Sequence, residues 1–364
     1  MNFLIRYGAF AAAVTLLGGI RVVTHADDSA ASVAVGGIQL RREADISMEK
    51  EILTISEAKV TVEYEFLNET DKDITTVVAF PIPRYDIGFN DAGGTRDFND
   101  FRLWVEGREV KYNTEARAKL RGKDYTDLLK GLGIDIASFG GWDEDRNGTP
   151  IGPITRLPDQ ELQRLSSIGL INSDRGASDD KLPLWDVLKS YYWTQTFPAH
   201  KILHVRHEYT PSMGFQQINP DALDPEVRKK RLAEDREKAQ SPGALAADEN
   251  YYNTISNSCV EPSLRKGLMK QALKKYGQDT GSIEMAWVDF ILTTANSWKT
   301  PIKEFTLIID RQSASRYAIP PQYVSLCWDG PIEKTAEGHF VAHKTNFVPE
   351  KELHVAFFSI ISAP

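Results

Sequence analysis

The clearest pattern in the chain is the alternation in "AKVTVEYEF". Val60, Val62, Tyr64 and Phe66 fall on one side, and Lys59, Thr61, Glu63 and Glu65 on the other. A period of two is that of a strand with one face buried and one wet. "NETDKD" reads as the turn. "ITTVVAFPIP" runs back with Ile74, Val78 and Phe80 on one face, until Pro81 and Pro83 stop it. "FRLWVEGREVKY" predicts a tight hairpin about Gly107. The stretch from Gly37 to Tyr112 is therefore expected to be mostly antiparallel sheet.

The pattern then changes. "DYTDLLKGLG" and "PDQELQRLSSIG" read as short helices, each closed by a glycine. Strand signals return at "YYWTQTF" and "HKILHVRHEYTP". "DPEVRKKRLAEDREKA" has Pro225 at the first helical position and almost no apolar face, so it predicts a helix lying in solvent. "EPSLRKGLMKQALKKYG" is more amphipathic, with Leu264, Leu268 and Ala272 along one side. From Ile283 to Ile360 the chain reads as strands again.

Strands at both ends with helices grouped between them predict a mainly β, α+β fold: antiparallel β-sandwich layers in two lobes, with helical insertions. The expected division is a signal peptide over 1–26, then an N-terminal β-rich lobe over 27–220 with a helical insertion about 113–182. A C-terminal lobe follows over 221–364, helices first and strands after. The pattern leaves open whether those last strands form a second sandwich or return to the first sheet.

The first 26 residues change the picture of where the protein works. Arg6 lies in a short leading region, an apolar run follows from Ala9 to Ile20, and Thr24 and Ala26 occupy the small-residue positions before a cleavage point. This is the layout of a secretory signal peptide. The alternative is an uncleaved anchor, but the run is short against a span of about 20 residues and Arg21 interrupts its end. No later segment is apolar enough to cross a bilayer. The expected localisation is periplasmic or extracellular. Without Arg6 and Arg21 the 43 basic residues fall to 41 against 51 acidic ones, a net charge near -10. Such a balance disfavours binding to a phosphate backbone, so nucleic acid is not an expected partner. In an oxidising compartment the even count of two cysteines, Cys259 and Cys327, suggests one bridge, with two separate buried thiols as the alternative.

Several segments resemble those of a known family: "DDSAASVAVGGIQL", "LTISEAKVTVEYEFLNETDKDITTVVAFPIP", "YYWTQTFPAH", "EYTPSMGF", "FILTTANSWKTPIKEFTLIID", "VSLCWDG" and "KTNFVPEKELHVAF". In this order they are similar to the bacterial domain-of-unknown-function 4424 family. The resemblance implies an exported Gram-negative bacterial protein with no assigned activity, and it supplies no catalytic residues. It adds weight to the pairing of Cys259 with Cys327, because the family often has a cysteine in both segments. "TTANSW" departs from the glycine-containing turn expected there.

Candidate chemistry adds little. Asp143, Asp145 and Asn147, followed by Gly148, stand in the order of a calcium loop. The twelfth position, where a bidentate glutamate belongs, is Ile154. The loop reads better as a polar turn than as a metal site. His200, His204 and His207 are close in sequence. On a strand, however, His200 and His204 would share a face about 13 Å apart while His207 points to the other, so no one zinc could reach all three. His207 reads as a hydrogen-bonded core residue, and His339 with His343 as a similar strand pair. There is no serine elbow, zinc-protease motif, dinucleotide fingerprint or phosphate loop, so no cofactor is expected. Trp185, Tyr192 and Trp193 are candidates for a ligand-binding aromatic face, with core packing as the competing reading. The expected function is non-catalytic binding of an unidentified protein or small-molecule ligand in the envelope or outside the cell. The rivals are a secreted hydrolase using loop carboxylates between 135 and 180, and a structural envelope component.

The leader reading has a direct test. N-terminal sequencing or intact mass of exported protein is expected to place the mature start at Asp27. A chain retaining Met1 would restore the anchor reading.

Overall fold

The computed structural model describes residues 29–34, 37–87, 100–141, 143–144, 150–172, 181–238, 251–276, 283–312 and 321–360. The expected signal peptide lies outside the described residues. The fold is mostly β with helices set between strand runs, a mixed α+β arrangement of sheet layers.

Among the described residues three larger sheets build the molecule. The eight-stranded sheet has the order Glu333–Lys334, Phe340–Phe347, Ile302–Ile309, Ile46–Ile55, Val60–Asn68, Ile202–Tyr209, Arg102–Val105, Arg108–Glu109. The six-stranded sheet runs Gly37–Leu40, Ser29–Ala34, Ile74–Pro81, Asp186–Phe197, Asn113–Leu120, Lys123–Asp124. The four-stranded sheet runs Met213–Ile218, Ile283–Phe290, Leu353–Ile360, Tyr323–Leu326. Their pairings are antiparallel, except that Ile302–Ile309 lies parallel to Ile46–Ile55. The C-terminal strands thus divide: Ile302–Ile309, Glu333–Lys334 and Phe340–Phe347 return to the sheet of Ile46–Ile55, and the other three help build the four-stranded sheet.

The alternation in the sequence maps directly onto burial. Val60, Val62, Tyr64 and Phe66 are all buried, and Glu63 on the opposite face is exposed. In the preceding strand, Ile46 and Met48 point inward, then a bulge between Met48 and Lys50 shifts the register. An extra residue reverses which side chains face the core. Glu51, Leu53 and Ile55 become the inward set, which is how a glutamate comes to be fully buried.

Aromatic rings join the six- and eight-stranded sheets. Phe66 meets Phe197 with centroids 5.8 Å apart, and Phe101 lies flat on Tyr191 at 4.0 Å. His207 sits among them. Its ring is 5.5 Å from Tyr64, 4.9 Å from Phe80, 5.2 Å from Phe101 and 5.3 Å from Trp193.

The four-stranded sheet is covered on both faces. Val288, Phe290, Val355 and Phe357 join the main core. Met285, Ala356, Phe358 and Ile360 pack instead with Ile255, Leu268 and Ala272 of the helical layer. A strand buried on both sides needs a near-continuous apolar run, and "LHVAFFSI" supplies one. Pro225–Lys238 lies on the outside, as its polar sequence predicts, held by Arg228 donating to the carbonyls of Ala222 and Leu223 at 2.8 Å. No helix among the described residues is long and apolar enough to cross a membrane.

Burial depresses the pKa of His207 to about 3, against an ordinary value of 6.5. The unfolded chain therefore binds a proton over that interval that the folded one refuses. Stability from this residue is complete above about pH 6.5 and is lost progressively as pH falls toward 3. At pH 5 the loss is on the order of 2 kcal/mol. His207→Phe is expected to remove that part of the acid sensitivity, read as the difference in denaturant unfolding free energy between pH 7 and pH 5. Equal pH dependence in both proteins would contradict the assignment.

Candidate functional site

Three of the open clefts among the described residues compete as a site. The largest, about 660 Å³, lies between Lys123–Thr126 and Arg164. Some of its charges are engaged: Arg117 pairs with Asp124 at 2.7 Å, and Arg164 with Glu161 outside the lining at 3.4 Å. Asp124 is held below the usual carboxylate range despite partial burial, by hydrogen bonds from Thr126 and by the Arg117 charge. A second cleft of about 480 Å³ lies on the outer face of the eight-stranded sheet beside Trp104. There Arg102 and Arg206 stack on the indole at 4.6 and 4.8 Å. Both arginines also pair with Glu208, a ladder of the sort that solvates an open sheet face.

The third cleft differs in kind. It has a volume of about 560 Å³, and apolar side chains form much of its wall. It forms where the edge strand Tyr323–Leu326 leaves the four-stranded sheet and meets the end of helix 251–257. Past Leu326, Cys327 is exposed, Trp328 half-buried and Asp329 exposed. Trp328 stacks on Phe305 at 6.0 Å and lies 5.9 Å from Phe347. The Lys344 ammonium rests 4.7 Å from the Trp328 ring and 5.0 Å from that of Phe347, and also pairs with Asp329. That hydrogen bond holds the Asp329 carboxyl below its ordinary pKa. Val348 stands 51% exposed at the rim. Glu352 fixes the opposite wall by accepting hydrogen bonds from the backbone of Leu292 at 2.9 Å and the hydroxyl of Thr293 at 2.7 Å.

A disulfide forms one side. Cys259 and Cys327 are bonded, with Cα atoms 5.2 Å apart and a sequence separation of 68. Cys259 has a left-handed backbone, φ 49°, a conformation most side chains avoid. Its carbonyl accepts a hydrogen bond from Ser325 Oγ at 3.0 Å.

Behind this wall lies a chain of side chains not foreseen from the sequence. Asp289 and His354 face each other across neighbouring strands. His354 Nδ1 is 2.6 Å from Asp289 Oδ1, and its Nε2 is 3.3 Å from Ser258 Oγ. Ser, His and Asp in this order have the connectivity of an acyl-transfer triad. The details favour an anchor instead. Ser258 is fully buried, and its hydroxyl donates to the Thr254 carbonyl at 2.9 Å, the shortest of its three contacts. A hydroxyl has one proton, and back-bonding within a helix occupies it. The arrangement ties the end of helix 251–257 to the sheet. Trp287 closes it from the side, its ring 6.1 Å from that of His354. Trp287 can lie flat there because its cross-strand partner is Gly214, where a Cβ would fall 1.9 Å from the indole.

The residues singled out from sequence are distributed differently. Trp185 is fully buried and donates to the Ile136 carbonyl at 3.3 Å. Trp193 is buried on His207, while Tyr192, one step along the strand, points to the other face and is half-buried. Successive strand residues alternate, so Tyr192 and Trp193 cannot share a binding face. Asp143 lies in a two-residue strand paired with Pro150–Ile151. Its side chain, with Asp145 and Asn147, falls outside the described residues.

The histidine geometry also needs correction. The strand begins at Ile202, so His200 is not on it. His200 occupies a left-handed turn, φ 53°, and contacts Asp71 at 2.8 Å. His339 likewise precedes its strand, while His343 contacts Thr306 at 3.0 Å. Among the described residues no three His, Cys, Asp or Glu side chains gather to hold a metal ion.

A family model for a domain of unknown function, DUF4424, matches residues 26–356. The chain belongs to this family. No curated protein matches it. A solved structure from Legionella pneumophila, described as a "putative nutrient binding protein", is similar at 13% identity with a TM-score of 0.37, over 92% of this chain and 70% of that one. So loose a superposition supports no statement about this chain's ligand. As a DUF4424 protein the chain inherits no catalytic residue, and the groove beside the disulfide rests on its own geometry.

Ser258→Ala is expected to cost about 1–2 kcal/mol of unfolding free energy, because it leaves the Thr254 and His354 polar groups short of a buried partner. A serine-directed phosphonate is expected to leave Ser258 unmodified in the native protein. Labelling of Ser258 would replace the anchor reading with a catalytic one.

Proposed function

We propose that the protein is an exported, non-catalytic binding protein of the bacterial envelope, and that its ligand lies in the groove between Trp328, Phe347 and Val348. The leader-like first 26 residues support export. The observation that carries the binding reading is the exposed apolar wall. Val348 at 51% exposure and the half-buried Leu326, Trp328 and Phe347 gather around an opening of about 560 Å³. Water against such surface is unfavourable by roughly 25 cal/mol per Å², so an organic ligand with an apolar body gains by replacing it. The polar partners are also in place. Lys344, held against the two rings and paired with Asp329, brings a cation to the wall, and the Trp328 Nε1 is a shielded donor with no hydrogen-bond partner among the described residues. A few polar groups converging on an apolar pocket are what fixes a ligand's orientation.

The hydrolase rival places its chemistry in carboxylates between 135 and 180. Of these, Asp135 is engaged in its own turn, accepting from the Ala137 amide at 3.1 Å and the Ser138 hydroxyl at 2.8 Å. That use is structural, and the side chains of Asp143, Glu144, Asp179 and Asp180 lie outside the described residues.

A thermal-shift screen on the mature protein would test the reading. Compounds that raise the melting temperature are expected to lose that effect in Trp328→Ala, since a ligand binding only the native state must stabilise it. Shifts that persist unchanged in Trp328→Ala and in Val348→Glu would place binding elsewhere.

A further inference from the structure

We propose that the Cys259–Cys327 disulfide is a thiol–disulfide exchange site, attacked at Cys327 by a protein carrying a Cys-X-X-Cys dithiol, with the apolar groove seating the partner's chain. The proposal goes beyond the ligand reading and borrows from it only the seat.

Three features set this bond apart from a buried structural link. The first is access. Cys327 is exposed, both cysteines line the open groove, and thiolate attack requires a free approach to one sulfur. The second is asymmetry. Cys259 is only partly accessible and sits in a left-handed backbone, φ 49°. Attack at Cys327 therefore makes Cys259 the leaving sulfur. The third is that the fold has other means of holding these two segments. Ser325 donates to the Cys259 carbonyl at 3.0 Å. Tyr323–Leu326 is paired along its length with the buried strand Leu353–Ile360. Ser258 and His354 tie the helix end to the same sheet. The bond can open without the walls separating.

The chemistry balances as an ordinary two-electron exchange. The partner's thiolate attacks Cys327 Sγ, the sulfur–sulfur bond breaks, and Cys259 leaves as a thiolate that takes a proton from water. The partner's second thiol then attacks its own sulfur in the mixed disulfide, loses its proton, and releases Cys327 as a thiolate. The protein ends as a dithiol and the partner as a disulfide.

A trapping experiment decides it. The probe is a thioredoxin-fold protein whose second Cys-X-X-Cys cysteine is replaced by serine. Mixed with the native protein at neutral pH without denaturant, it is expected to form a one-to-one mixed disulfide mapped by mass spectrometry to Cys327. Val348→Glu, a change at an exposed rim position, is expected to slow trapping about tenfold. The reduced protein is expected to keep a cooperative melting transition, at a lower temperature. Trapping only in denaturant, trapping at Cys259, or loss of the folded state on reduction would each overturn the exchange site. An unchanged rate in Val348→Glu would overturn the groove as the partner's seat. Success of trapping alongside failure of every small-molecule shift would leave exchange standing and remove the ligand reading, so the two failures are distinguishable.

Discussion

The parallel pairing of Ile302–Ile309 with Ile46–Ile55 is the contact on which the rest of the fold depends. It places residues about 250 positions apart side by side in the middle of the eight-stranded sheet. Antiparallel neighbours can be joined by a short turn, but a parallel pair needs a long crossover. Here the crossover is most of the protein, including four strands of the six-stranded sheet, the helices and half of the four-stranded sheet. Phe305 and Leu307 from one side and Leu53 and Ile55 from the other are buried at the seam. Loss of that seam would detach the outer strand Phe340–Phe347, and with it Lys344 and Phe347 of the groove.

The seam also explains how two cores coexist. A strand with only one apolar face can serve one core. Ile283–Phe290 and Leu353–Ile360 have two, so the four-stranded sheet closes the main core with Val288 and Phe357 and builds a second with Met285 and Phe358. Asp289 and His354 lie on the helix-covered face at the end of this pair, where burial fades and a polar couple can be tolerated. Their hydrogen bond meets the need that a buried polar group has for a partner, and Ser258 extends it into the helical layer. His207, by contrast, is kept neutral in the main core by its surroundings of aromatic rings, at a cost that appears only in acid.

Much of this architecture was legible in the sequence, because period and burial are tightly linked. The strand Val60–Asn68 follows its alternation residue by residue, and Pro225–Lys238 lies outside as its polar surface requires. The features that escaped are those set by single-residue events. A bulge reversed the inward set after Met48 and placed Glu51 in the core. A left-handed turn at His200 took that histidine off its strand. Trp185 and Trp193 could not be separated from surface aromatics by type alone, since a tryptophan suits a core and a ligand platform equally well. The Ser258–His354–Asp289 chain joins three segments far apart in sequence, and no local spacing encodes it.

The groove was illegible for a related reason: it belongs to ends of elements, not to their faces. Leu326 and Cys327 lie where a strand leaves its sheet, Cys259 where a helix has just stopped, and Val348 where another strand has ended. Side chains at such positions escape the burial that regular packing imposes, and backbone strain can be held there by a covalent link. The link has two separable effects. Closing a 68-residue loop lowers the entropy of the unfolded chain, by an amount worth on the order of 4 kcal/mol in the loop-closure model. That effect sets the equilibrium resistance of the bond to reduction. Exposure of Cys327 sets how fast a thiolate can reach it. A bond can therefore be thermodynamically favourable and still open quickly to the right partner. Placing the accessible sulfur beside an apolar wall gives the chain a means of choosing that partner by shape, without relying on strain to weaken the bond.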